Sequence, residues 1–347
     1  MNVIILTGKF GMGHISAAKS IEERIMDENR EANVVVIDFV EYMLPVASKG
    51  IYKGFNFMVH RCSSLYNTIY GIAQIHCSVP LKRASVKKID KMLEDYNADL
   101  VINALPMCAQ YMSAYKSIRK SDIRIYTVIT DITAHKDWIA EGTDRYFVGD
   151  LTTRDALIST GVRRNAITVS GIPVRRQFRP RVNRGNCNKK KVLIIGGGLG
   201  LIPASDELLR KLDQNYDLEV TLIAGRNAKL FASAKKKFPR INTLGFTTNV
   251  DEYMRDSDII ISKAGGITTF EAIASETPIY VIKPFLEQEI GNAMYIEEHN
   301  IGRVMWEKNE NGYNNLVSLL QNDRQLQCMR NNMQRINNVI EGAKLCS

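Results

Sequence analysis

Apolar residues enter this chain in short unbroken runs separated by longer stretches of helical period, and the first run sets the theme. Val3-Ile4-Ile5-Leu6 leads into Gly8-Lys9-Phe10-Gly11-Met12-Gly13-His14, after which Ile15, Ala17, Ala18 and Ile21 recur at helical spacing. A continuous apolar run reads as a buried parallel strand, the glycines as a tight turn, and the periodic segment as a helix with His14 at its head. Runs at 33–39, 99–104, 124–130, 145–149 and 166–170 predict further strands. The theme restarts where Val192-Leu193-Ile194-Ile195 meets Gly196-Gly197-Gly198-Leu199-Gly200, and more strands are predicted at 219–226, 241–246, 258–262 and 278–282. Residues 314–340 read as helix.

Strands alternating with helices predict parallel sheets covered on both faces. The expected fold is α/β, two Rossmann-like doubly wound domains facing across a cleft at the carboxyl ends of their sheets, where open parallel sheets bind ligands. An Arg-, Pro-, Gly- and Asn-rich run from Gly171 to Asn186 marks the boundary. The division expected is 1–178 for the first Rossmann-like domain, 179–190 for a linker, 191–325 for the second, and 326–347 for a C-terminal helix returning to the first domain.

One insertion, from Tyr42 to Lys91, interrupts the rhythm. It interleaves Tyr52, Phe55 and Phe57 with Lys53 and Arg61 and is nearly free of acids. Two readings fit equally: rings and cations entering an anionic lipid surface, or ordinary helices packing on the sheet. The whole chain of 347 residues carries a formal net charge of +9, which points to an anionic partner. No run approaches the roughly 20 apolar residues of a membrane-spanning helix. The opening apolar run is too short for a signal peptide, so a cytoplasmic protein is expected, one that acts from the surface if it works on a membrane. Six cysteines lie without zinc spacing and read as reduced thiols.

Chemistry concentrates at the glycine turns. His14 at a helix N-terminus is favoured as the neutral imidazole, because the positive end of the helix dipole opposes a second proton, and a neutral imidazole can act as a base. Gly196 to Gly200 could approach phosphate closely, yet the turn lacks the Gly-Lys-Ser/Thr ending of a P-loop. Ser262-Lys263-Ala264-Gly265-Gly266-Ile267-Thr268 is the stronger signal, a strand end followed by a helix whose unpaired N–H groups can hold a diphosphate. Glu271, one turn further on, suits a ribose diol or is a surface carboxylate favoured near a helix N-terminus, and Gln288 and Glu289 are placed to meet a sugar or are solvated loop residues. Asp256-Ser257-Asp258 imitates a metal-binding D-x-D motif but lies at a helix-to-strand junction and reads as turn chemistry, so no metal and no other cofactor is expected.

Taken together, Gly11-Met12-Gly13-His14, Thr130-Asp131 through His135 to Trp138, Gly171-Ile172-Pro173-Val174-Arg175, Ala224-Gly225-Arg226-Asn227, Gly245-Phe246-Thr247-Thr248-Asn249, the Ser262–Gly266 turn and Gln288-Glu289 with Gly291-Asn292 follow in a specific order. In that order the chain resembles the family-28 GT-B glycosyltransferases that include monogalactosyldiacylglycerol synthases and the bacterial processive diacylglycerol glucosyltransferases. More distantly it resembles the enzyme that adds N-acetylglucosamine to make lipid II.

The resemblance implies an inverting transfer of glucose or galactose from a UDP-sugar to diacylglycerol, with His14 as general base and Asp131 assisting it or orienting the acceptor. It implies that Phe246 covers the uracil and that the backbone near Thr247 reads its edge. Glu271 would bind the ribose, Gly265, Gly266 and Thr268 the diphosphate, and Gln288 and Glu289 the hexose. Arg175 would offset charge on the leaving group, while Gly197, Gly198, Arg226 and Asn292 complete the donor surround. Gly13, Tyr52, Lys53, Phe55, Phe57 and Arg61 would face acceptor and membrane. Met12 departs from the family's usual glycine triplet and reshapes the acceptor entrance. Expected partners are therefore a UDP-hexose, diacylglycerol and an anionic membrane surface, with no nucleic acid. Three readings compete: an N-acetylglucosamine transferase acting on a polyprenyl-diphosphate-linked acceptor in cell-wall synthesis, a UDP-sugar epimerase, which shares the two-Rossmann architecture, and a non-catalytic UDP-sugar-binding protein.

Overall fold

The computed structural model describes residues 1–61, 83–132, 136–181, 189–198, 200, 202, 204–284, 287–306, 311–340 and 342–345. The middle of the insertion, 62–82, lies outside the described residues, as do His135 and Leu199 and the side chains of Met12, Phe57, Arg61 and Gln288. The chain divides into two units: Met1–Arg175 together with Ile340–Ser347, and Arg176–Val339.

In the first unit the strands β1 (Asn2–Thr7), β2 (Asn33–Asp38), β3 (Leu100–Asn103), β4 (Arg124–Val128), β5 (Arg145–Val148) and β6 (Ile167–Val169) form one parallel sheet in the order β2-β1-β3-β4-β5-β6. Val3 and Ile5 point to one face, with Ala18, Ile21 and Ile25 of the helix Met12–Glu28; Ile4 and Leu6 point to the other, with Val86, Ile89 and Met92 of the helix Arg83–Asp95. Both faces are thus covered, which is why the strands read as unbroken apolar runs rather than alternating ones.

The second unit repeats the plan with β7 (Lys190–Ile195), β8 (Leu218–Ile223), β9 (Asn242–Leu244), β10 (Ile259–Ser262), β11 (Ile279–Ile282) and β12 (Gly302–Met305), all parallel, in the order β12-β11-β10-β7-β8-β9. Strand β12 is not among the strands that the apolar runs predict: it is a short edge strand, half of it polar or glycine, and only pairing with β11 defines it. The sheet orders put switch points between β1 and β3 and between β7 and β10. The loops leaving β1, β7 and β10, which hold the glycine turns, are therefore the ones beside which ligands of such sheets bind.

The C-terminal segment, expected to return to the first domain as a helix from 326, divides instead. The helix Asp323–Ile340 stays with the second unit, where Leu326 and Met329 enter the core beside Val192 and Ile259. Asn322 interrupts the predicted 314–340 helix by capping this helix at Gln325 N, 3.0 Å away. The returning part is shorter: Leu345 is buried against Val3, Ile21 and Ile25, and its N–H donates to the Glu28 carboxylate at 2.8 and 2.9 Å.

The Asp256-Ser257-Asp258 segment sits where turn chemistry is expected. Asp256 pairs with Lys191 at 2.5 Å and Arg181 at 3.2 Å, and Asp258 accepts from the Lys191 N–H at 2.9 Å and lies 3.6 Å from Arg330. No helix of the described residues is long and apolar enough to cross a membrane.

Candidate active site

Within the first unit, β1 ends at Thr7 and the chain turns through Gly8-Lys9-Phe10-Gly11 into the helix Met12–Glu28. Gly11, at φ 123° and ψ 162°, takes a conformation open only to glycine, and this sharp turn places His14 in the helix's first turn. The Thr7 hydroxyl donates to the His14 carbonyl at 3.1 Å, and the His14 ring Nδ1 lies 3.4 Å from Oγ1 of the buried Thr130. Thr130 follows β4, so two separate strand ends meet at His14, Thr7 on its carbonyl and Thr130 on its ring. Asp131, the expected assistant, accepts a hydrogen bond from the buried Trp138 indole at 3.1 Å. Its neighbour Thr130 is the residue whose hydroxyl reaches the ring.

Beside this turn lies the helix Ser48–Arg61. Phe10 packs edge-on against Tyr52 at 5.1 Å and Phe55 at 5.0 Å. The Tyr52 hydroxyl donates to Asp38 Oδ1 at 2.5 Å, and burial together with that carboxylate pushes the phenol well above its ordinary range. Lys9 pairs with Glu41 and lies 3.4 Å from Asp38. Tyr52 and Phe55 thus pack inward in part, as the packing reading of the insertion has it, whereas Lys53 is exposed. Leu44, Val46 and Ile51 are the large apolar side chains exposed there among the described residues, Val46 at 96%.

In the second unit the β7 and β8 turns interlock. A side chain at Gly225, which has φ 58°, would fall 2.8 Å from the Gly198 carbonyl and 3.0 Å from that of Gly197, and Arg226 N–H donates to Gly198 at 3.1 Å. The Arg226 guanidinium sits over the half-exposed Phe246 ring at 5.2 Å, a cation–π contact that fixes one aromatic face. Thr247 Oγ1 accepts from Asn249 N–H at 3.1 Å.

After β10 the chain passes through Lys263, Ala264 and Gly265 into the helix Gly266–Ala274, and Gly265 gives this helix no side-chain cap. Its first N–H groups are therefore an anion-binding end. Glu271 is buried in the same helix. The amide of the buried Asn292 donates to the Ala264 carbonyl at 3.0 Å and so braces the loop. Glu289, expected to meet the hexose, is also buried and lies 3.1 Å from Lys263 Nζ. Lys263 lies inside the strongest glycine-turn motif, yet spacing alone gives it no role; only the packing of the helix Glu287–Glu298 brings Glu289 to it. Arg175 is the last residue of the first unit before the chain enters the second.

Two parallel-sheet units with glycine turns at their switch points define a nucleotide-sugar transferase of the GT-B fold. The chain belongs to the monogalactosyldiacylglycerol synthase and processive diacylglycerol glucosyltransferase family of family-28 glycosyltransferases. Residues 14–174 match the monogalactosyldiacylglycerol (MGDG) synthase model and 192–345 the glycosyltransferase family 28 C-terminal domain. A processive diacylglycerol beta-glucosyltransferase of Bacillus cereus (strain AH187) is 30% identical, over 96% of this chain and 89% of the relative. That of Bacillus licheniformis is 28% identical over 96% and 91%. The crystal structure of Acinetobacter baumannii MurG shares the fold at a TM-score of 0.63 and 12% identity, over 99% of this chain and 96% of that one.

Proposed function

We propose that this chain is an inverting hexosyltransferase that moves glucose from UDP-glucose to diacylglycerol at the inner membrane face. The observation that carries the reading is the imidazole of His14, set at a helix head with Nδ1 facing the Thr130 hydroxyl at 3.4 Å, in a chain of this family. In the tautomer whose Nδ1–H donates to the Thr130 hydroxyl, Nε2 takes the acceptor's proton. The acceptor oxygen forms a bond to the anomeric carbon, the bond from that carbon to the diphosphate breaks, and UDP leaves with the electron pair. Phe246 under the Arg226 guanidinium supports a uracil site, Glu271 the ribose, and the uncapped helix at Gly266 the diphosphate. Arg175 offsets charge on the departing UDP. Glucose is preferred to galactose because the relatives matched along nearly the whole chain are named glucosyltransferases. The exposed Leu44, Val46 and Ile51 with Lys53 support docking to anionic lipid.

The test is a panel of UDP-sugars offered on diacylglycerol vesicles with and without anionic lipid, the products separated by sugar number. UDP-glucose should give glucosyldiacylglycerol, faster on anionic vesicles at low salt. His14→Ala should lower turnover at least about a hundredfold, the usual share of a general base, and leave UDP affinity unchanged. Transfer only to a polyprenyl-diphosphate acceptor, or release of free product without acceptor, overturns the reading.

A further inference from the structure

The loop between β10 and the helix Gly266–Ala274 carries a cation to which the donor reading gives no role. Lys263 Nζ lies 3.1 Å from Glu289 Oε1, and Glu289 is 3% exposed. The other carboxylate oxygen, Oε2, is buried with no hydrogen-bond partner among the described residues. A buried carboxylate satisfied on one oxygen only is costly unless something else arrives to satisfy it. The ammonium also borders the turn: a side-chain carbon built at Gly265 would come 3.7 Å from Lys263 Nζ and 3.8 Å from Thr268 Oγ1, so an ammonium and a hydroxyl flank the backbone there. Gly265 precedes the uncapped helix end, where backbone N–H groups already favour negative charge.

We propose that Lys263 is a direct ligand of the donor's diphosphate and that Glu289 is its positioning residue, resting on the donor reading above. An ammonium has three N–H donors, of which Glu289 takes one. The others reach a phosphate oxygen seated at this turn, where Lys263 acts as a point charge on the leaving group. One hexose hydroxyl donates to Glu289 Oε2 and completes the carboxylate. Glu289 thereby links recognition of the sugar to the placement of the charge that stabilises its departure.

Titration calorimetry on the full chain with UDP and with UDP-glucose, comparing wild type, K263M, K263R and E289Q, tests this. K263M should weaken UDP binding about tenfold, the size of a charge-assisted hydrogen bond, and K263R should recover part of the loss. E289Q should weaken UDP-glucose more than UDP. A merely structural ion pair would lower the Tm and weaken both ligands equally. Wild type that binds UDP while folded K263M binds it as tightly overturns the proposal alone; folded wild type that binds no UDP overturns the donor reading with it. Should K263M not fold, amine labelling of the unaltered protein decides. Saturating UDP should shield Lys263 several-fold from acylation read by mass spectrometry, and undiminished labelling overturns the proposal.

Discussion

Thr130 shows what a single hydroxyl can settle. Its Oγ1 lies 3.4 Å from His14 Nδ1 and its side chain is buried, so a fixed hydroxyl stands against one edge of the ring and restrains its rotation. Thr130→Val keeps the shape and removes the partner. Turnover should fall roughly threefold to tenfold, the value of one net hydrogen bond, with KM for the donor unchanged and the acid limb of the pH-rate profile displaced. Steady-state kinetics across pH checks this, and an unmoved profile would mean that Thr130 only fills space. Sequence pattern puts His14 at the head of a helix because Gly11 and Gly13 announce the turn. It cannot put Thr130 on the ring, since that depends on β4 lying two strands from β1 in the sheet order. Lys263 is hidden for the same reason: its partner Glu289 is on another helix.

At the scale of elements, the runs of Val, Ile and Leu make the central strands legible, whereas β12 needs its neighbour β11 to exist as a strand. Tyr280 of β11 ties these levels together. Its hydroxyl donates to the Gly312 carbonyl at 2.7 Å, anchoring the helix Asn311–Gln321 to the sheet. Burial pushes this phenol from 10.0 up to about 12. A phenol that keeps its proton longer when folded contributes stability that is complete below pH 10 and lost as pH climbs through 12. That contribution is roughly 3 kcal/mol, from the free-energy equivalent of a displaced titration. Tyr280→Phe should cost about 1–2 kcal/mol at pH 7, through the buried carbonyl left without its donor. It should also make the loss of stability above pH 10 shallower than in wild type. Urea unfolding at pH 7, 9 and 11 measures both, and a parallel alkaline decline in the two proteins would exclude Tyr280 from it.

The molecule as a whole is two repeats of one plan with a tail that crosses back. Residues 340–347 belong with the first unit, although the long helix before them belongs with the second. Leu345 fills the core between the β1 face and the helix Met12–Glu28, its N–H is held by Glu28, and Arg24 donates to the Ala343 carbonyl. Deleting 340–347 should destabilise the first unit by about 2–5 kcal/mol, the cost of emptying a leucine site. UDP affinity in the second unit should stay at the wild-type value. Calorimetric unfolding with and without UDP separates the two, and equal loss in both units would refute the assignment. This crossing tail has a bearing on biosynthesis. A ribosome that has released every strand of the amino-terminal sheet still holds back the plug for its core, so that lobe stays unfinished until Leu345 emerges. The core of the half that carries His14 is thus completed only after the other half has already been made.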